Sequence, residues 1–212
     1  MSESERVGIY GGTFDPIHIG HLAIAEEARA ALQLNRVLII PAARQPLKSQ
    51  AQGAAPHHRL AMARLACADN PAFRVDELEL RRPAPSYSVD TIQSLHERLG
   101  ESTQLWFILG VDAARDLPRW HRVAELVALA RVCIVGRPGY KLHRPSLEAA
   151  LPALVGRYRL IDGPQLDISS SALRRRLALG QPVRYQVPEP VRSYIEAHSL
   201  YIDDELANSA PR

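Results

Sequence analysis

One stretch, residues 7–21 (VGIYGGTFDPIHIGH), limits what this chain can fold into more than any other. Val7, Ile9 and Tyr10 read as a short buried strand, and Gly11 and Gly12 end it. Residues 13–19 read as a turn. From Gly20, an apolar-periodic helix runs to about Gln33. A strand, a glycine turn and a helix N-terminus in that order can build an anion site from main chain alone. The glycines let the backbone come close to a ligand, and first-turn N–H groups with the helix dipole face a negative group. His18 and His21 stand three apart at that mouth. From the residues alone three readings of the pair stay open. They are incidental to a strand-turn-helix, or a His-x-x-His metal pair that still wants a third ligand, or donors to phosphate oxygens that offset charge as it develops. The stretch is neither a P-loop, because the lysine-serine/threonine ending is absent, nor a dinucleotide fingerprint, because the glycine spacing differs.

The remaining apolar segments alternate with helical ones. Residues 36–40 (RVLII), 104–109 (QLWFIL), 132–135 and 158–161 read as further buried strands, and residues 73–80 contain short strand material. Helices are expected over 57–68, from Ser88 or Asp90 as cap to about Leu99, and over 120–130, 147–155, 169–179 and 190–198. Such alternation implies a parallel sheet covered on both faces, with ligands beyond the strand C-termini where the strand order reverses. Gly11, Gly12, His18, Asp112 and Arg137 all follow strands. The predicted fold is α/β: a doubly wound, Rossmann-like parallel sheet with helices on both faces and a small C-terminal helical part. It is read as one domain over residues 1–202 with a flexible tail at 203–212. Two loops, 41–55 and 81–88, are expected to move on binding.

Composition enters mainly by exclusion. The 212 residues are 46% hydrophobic and 23% charged, which suits a globular core and not a disordered or fibrous chain. No apolar run approaches the roughly 18 residues that span a bilayer, and the start lacks the basic and apolar regions of a secretion signal. With Cys67 and Cys133 both inside apolar stretches, the expectation is a cytoplasmic protein with reduced cysteines and no membrane partner. The net charge of +3 suits acidic small substrates. No basic stripe with interleaved aromatics points to nucleic acid. The serines at 169–171 lack the G-x-S-x-G elbow of a serine hydrolase and read as helix caps and phosphate donors.

Residues 11–21, with their H-I-G-H core, resemble the first signature of the nucleotidylyltransferase superfamily. ISSSALR (168–174) resembles its second, usually I-S-S-T-x-x-R, about 150 residues further on. PSYSVDT (85–91), GVD (110–112), the Leu-Pro-Arg-Trp run ending at Trp120, RPGY (137–140) and VPEPVRSYIEAHSLY (187–201) resemble the bacterial nicotinate mononucleotide adenylyltransferases. The shorter pantetheine-phosphate and glycerol-phosphate relatives share the first signature but lack the middle stretch.

The resemblance implies the HxGH type of the fold and an adenylyltransferase. It would join ATP to nicotinate mononucleotide by direct in-line attack, releasing pyrophosphate and forming nicotinate adenine dinucleotide in NAD biosynthesis. The alternatives are the same fold with another phosphate acceptor, nicotinamide mononucleotide or phosphopantetheine, or a nucleotide-binding module without catalysis. By the resemblance His18, His21 and Arg174 are catalytic. Gly11, Gly12, Thr13, Phe14, Gly110, Asp112, Arg137, Ile168, Ser170 and Ser171 bind ATP or its phosphates. Ser88, Tyr87, Trp120 and His121 hold nicotinate mononucleotide, with Trp120 stacking on the pyridine ring. Magnesium is expected to arrive on ATP, with no metal ligands of the protein's own and no tightly bound cofactor. A homodimer is compatible with all of this. Where relatives carry Pro-Pro-His-Lys, this chain has Gln45-Pro46-Leu47-Lys48, so any phosphate role of that loop falls to Lys48 or Arg44. His57, His58, Arg59 and Arg175 are read as solvated or helix-terminal charges with no role.

Overall fold

The computed structural model describes residues 4–43, 53–83, 85–136 and 142–202. Six strands pair into one sheet: β1 (Arg6–Gly12), β2 (Arg36–Pro41), β3 (Phe73–Val75), β4 (Gln104–Gly110), β5 (Arg131–Val135) and β6 (Tyr158–Ile161). The order is β3-β2-β1-β4-β5-β6 and every pairing is parallel. Chain order therefore reverses between β1 and β4, which opens a crevice at their C-terminal ends. The register sets Gly12 beside Pro41 and Gly110 beside Val135, so four strand ends share one edge.

Both faces are covered, as the near-continuous apolar strands require. Val7 and Ile9 point to one face, and Tyr10, one residue on, to the other. On Tyr10's face lie α1 (Ile19–Leu32), α2 (Pro56–Cys67), α7 (Ser170–Ala178) and α8 (Glu189–Ala197), which bury residues such as Ala25, Met62, Leu173 and Val191. On the opposite face lie α3 (Ser88–Leu99), α4 (Val111–Asp116), α5 (Val123–Leu129) and α6 (Arg144–Ala150). Each fully buried aliphatic side chain contributes about 1.5–3 kcal/mol. Cys67 and Cys133 are free and buried, and burial pushes both thiols up to about 12. Among the described residues no helix is long and apolar enough to cross a membrane.

Several local expectations need correction. The helix expected over 120–130 starts at Val123, because Arg122 adopts a left-handed φ of 49°. Before it come α4, directly after Gly110, and a 3-10 turn over Leu117–Arg119. The helix expected over 147–155 lies at Arg144–Ala150. Pro152, which has no N–H to continue it, opens a separate 3-10 turn. Tyr87, not Ser88 or Asp90, occupies the N-cap position of α3, and Gly110 that of α4. The tail at 203–212, Arg44 to Lys48 and Arg137 lie outside the described residues.

Candidate active site

The first signature places its histidines by a local device. His18 is the N-cap of α1 with extended backbone, and its N–H donates to His21 Nδ1 at 3.2 Å. A neutral His21 that accepts at Nδ1 carries its proton on Nε2, which makes that nitrogen the ring's donor. The two imidazoles stack at 3.6 Å, 24° apart, and Phe14 meets His21 edge-on at 5.0 Å. Gly20 is fixed by this stack, since a Cβ there would lie 3.1 Å from the His18 ring. Ile168 of the second signature lies near the same glycine.

The open space lies over two other glycines. A Cβ on Gly11 or on Gly110 would meet nothing within 4 Å; Gly11 is next to last in β1 and Gly110 ends the adjacent strand β4. Gly12 differs: a Cβ there would stand 2.8 Å from the Phe14 ring. Phe14 has a φ of 50° and a buried side chain, so it can offer a ligand only its main chain. The helix terminus is less open than the sequence suggests. Ile19 N–H donates to Gln186 O at 3.0 Å and His21 N–H to His18 O at 2.9 Å, which takes up two of the first-turn donors.

The second signature closes onto the first. Ser169 caps α7, its side chain accepting from Ala172 N–H at 3.2 Å. Ser170 Oγ donates to Pro16 O at 3.0 Å, and the Arg174 guanidinium donates to Asp15 O at 2.7 Å. Ser171, in the same first turn, is exposed. Two motifs about 150 residues apart in the chain therefore meet at the Asp15-Pro16 step.

On the other face the acceptor candidates gather. The Tyr87 and His121 rings lie 4.4 Å apart, tilted by 37°. Trp120, half-buried, stands edge-to-face on Phe107 at 5.8 Å. Ser88 opens α3 next to Tyr87. Asp112 is exposed in the first turn of α4, where a carboxylate complements the helix dipole. Among the described residues no group of three or more His, Cys, Asp or Glu side chains is placed to hold a metal ion.

Arg59 is the clearest miss. It is only 4% exposed, not a solvated charge, and its guanidinium donates to Thr13 O at 2.7 Å and to Ala43 O at 3.3 Å. It ties the signature turn to the end of β2. Burial pulls its pKa down, opposed by the nearby Asp15. His58 is also engaged, with Nδ1 3.0 Å from the Tyr194 hydroxyl, joining α2 to α8. Only the Arg-x-x-x preceding apolar residues of α2 marks Arg59 in the sequence, and that pattern carries no signal of burial. His57 is exposed, as expected.

A parallel sheet whose order reverses at two glycine-ended strands, beneath a histidine pair and a serine-arginine helix start, is the build of a nucleotidyltransferase. The model of the cytidylyltransferase-like family matches residues 9–176. Similar proteins include the "Probable nicotinate-nucleotide adenylyltransferase" of Roseiflexus sp. (strain RS-1), 58% identical over 93% of this chain and 98% of that protein. Its namesake in Herpetosiphon aurantiacus is 50% identical over 93% of this chain and 99% of that protein. The chain belongs to the cytidylyltransferase-like family and, within it, to the nicotinate-nucleotide adenylyltransferases. The fold is also that of the Plasmodium falciparum nicotinic acid mononucleotide adenylyltransferase solved in complex with NaAD. The TM-score is 0.77 at 22% identity, covering 93% of this chain and 97% of that one.

Proposed function

We infer that this chain transfers the adenylyl group of ATP to nicotinate mononucleotide. The observation that carries the reading is the meeting of the two signatures at Asp15 and Pro16, beside the open strand ends at Gly11 and Gly110. The relatives' names supply the substrate pair.

A 5′-phosphate oxygen of nicotinate mononucleotide attacks the α-phosphorus of ATP. The bond from that phosphorus to the bridging oxygen breaks, and pyrophosphate leaves with the electron pair. No side chain need form a bond to phosphorus, so positioning and charge stabilisation supply the rate. His21 donates from Nε2 and His18 stacks beside it, both toward phosphate oxygens. Ser171 and the outer face of the Arg174 guanidinium meet the triphosphate, which brings its own magnesium as part of the substrate. Main chain at Gly11, Gly12, Thr13 and Phe14 lines the cradle, and Gly110 and Asp112 meet the adenosine side. Tyr87, Ser88, Trp120 and His121 receive the pyridine ring and its carboxylate, Trp120 by stacking.

Purified protein given magnesium-ATP and nicotinate mononucleotide is expected to release pyrophosphate and the dinucleotide in equal amounts. In competition, the acid is used in preference to the amide. Folded, ATP-binding protein that forms neither product overturns the reading, and preference for the amide moves the acceptor to nicotinamide mononucleotide.

A further inference from the structure

The turn that carries His18 is held partly from outside the region matched by the family, which ends at residue 176. Two contacts reach it from beyond that point. Gln186 O accepts the Ile19 N–H at 3.0 Å, and the Tyr201 hydroxyl donates to Asp15 Oδ1 at 2.6 Å. Asp15 is 7% exposed and stands three residues before His18. Its Oδ1 also accepts from Ala54 N–H at 3.0 Å, and its Oδ2 faces the Arg174 guanidinium at 3.7 Å. One carboxylate thus joins the signature turn, the approach to α2, helix α7 and the segment after α8.

The segment after α8 is shaped for this contact. Ser199 and Tyr201 both adopt left-handed φ values, 47° and 66°, which side chains other than glycine enter at a cost. Upstream, the Tyr194 hydroxyl of α8 meets His58 of α2 and does not reach Asp15. Burial and the adjoining carboxylate push the Tyr201 phenol well up, so it stays protonated and serves as a donor. Without that donor, Asp15 must satisfy its carboxylate elsewhere. Among the described residues the nearest charged donor is Arg174, the same guanidinium that the transfer reaction needs for phosphate.

We propose that Tyr201 is a positioning residue for the adenylyl transfer: acting through Asp15, it fixes the turn that sets His18 and Arg174 relative to each other. The proposal rests on the reading given under Proposed function. A reaction run by placement alone feels such a contact, since misplacement by about an ångström costs roughly hundredfold in rate.

The test compares Tyr201→Phe with Tyr194→Phe, a change on the same C-terminal segment that does not reach Asp15. Tyr201→Phe is expected to lower kcat about tenfold with KM for both substrates within about twofold, while Tyr194→Phe keeps wild-type kcat. Unchanged kcat in Tyr201→Phe, or an equal loss in both variants, overturns the proposal. Should Tyr201→Phe not fold, Asp15→Ala reads the same contact from the other side, because it removes the acceptor of the Tyr201 hydroxyl. A kcat loss at unchanged KM is expected there, and wild-type kcat overturns the proposal. If the wild-type protein makes no dinucleotide, the functional reading fails separately. NMR of the imidazoles then decides: the His18 and His21 resonances shift in Tyr201→Phe and stay fixed in Tyr194→Phe, and unshifted resonances in Tyr201→Phe overturn the proposal.

Discussion

In the proposed reaction His21 is the residue on which the chemistry turns, and its tautomer is set by one main-chain bond. Because Nδ1 accepts the His18 N–H, Nε2 is the donor, and a neutral imidazole can stabilise an oxyanion without a titration step. His18→Ala and His21→Ala are each expected to lower kcat about a hundredfold or more, the scale of one lost oxyanion donor. Their thermal midpoints stay near wild type, as a scan beside the activity assay checks. The histidines were legible in the sequence because motif and spacing named them. Arg59 was not, since its acceptors lie 46 and 16 residues away and its burial exists only once α2 docks beside the signature turn. The same holds for Asp15: its place in the motif was visible, but not its bond to a tyrosine 186 residues distant.

At the scale of elements, two buried charged groups govern how loops hold to helices. Arg59→Met removes the donors of two carbonyls, at Thr13 and Ala43, and is expected to cost about 2–4 kcal/mol in urea unfolding. A loss under about half a kcal/mol would contradict that account. Glu79 is buried in the loop before α3 and accepts from Thr91 Oγ1 at 2.8 Å. Burial raises its pKa above the ordinary 4.5 against the pull of those hydrogen bonds and Arg82. The folded state therefore holds the proton more tightly than the unfolded one, and this group's contribution falls as pH rises through the raised value. Glu79→Gln is expected to match or exceed wild-type stability at pH 7, with the difference shrinking toward pH 4. Urea midpoints across that range check it. Strands and most helices could be read from apolar runs. Helix α4 could not, because six residues are too few to show a period, and α6 was misplaced because Pro152 separates two short helical pieces that share one apolar pattern.

The whole molecule works by convergence. One face of the sheet delivers the histidine pair, Arg59 and the second signature, and the other delivers Tyr87 and Trp120. The strand order reverses between β1 and β4, and in the proposed reaction the two sets serve one site past those strand ends. That architecture was legible because parallel, doubly buried strands leave a plain apolar signature. What lay beyond the sequence was the closure: that residues 168–174 bond to the Asp15-Pro16 main chain, and that the C-terminal segment reaches the same turn. The proposed reaction is a single direct transfer between two phosphates, with His18 and His21 as donors and not nucleophiles. The stereochemical course at phosphorus tests it most directly, using ATP made chiral at the α-phosphorus and nicotinate mononucleotide as acceptor. One in-line displacement predicts a dinucleotide with inverted configuration. Retention would mean two displacements through an adenylylated side chain and would contradict the account.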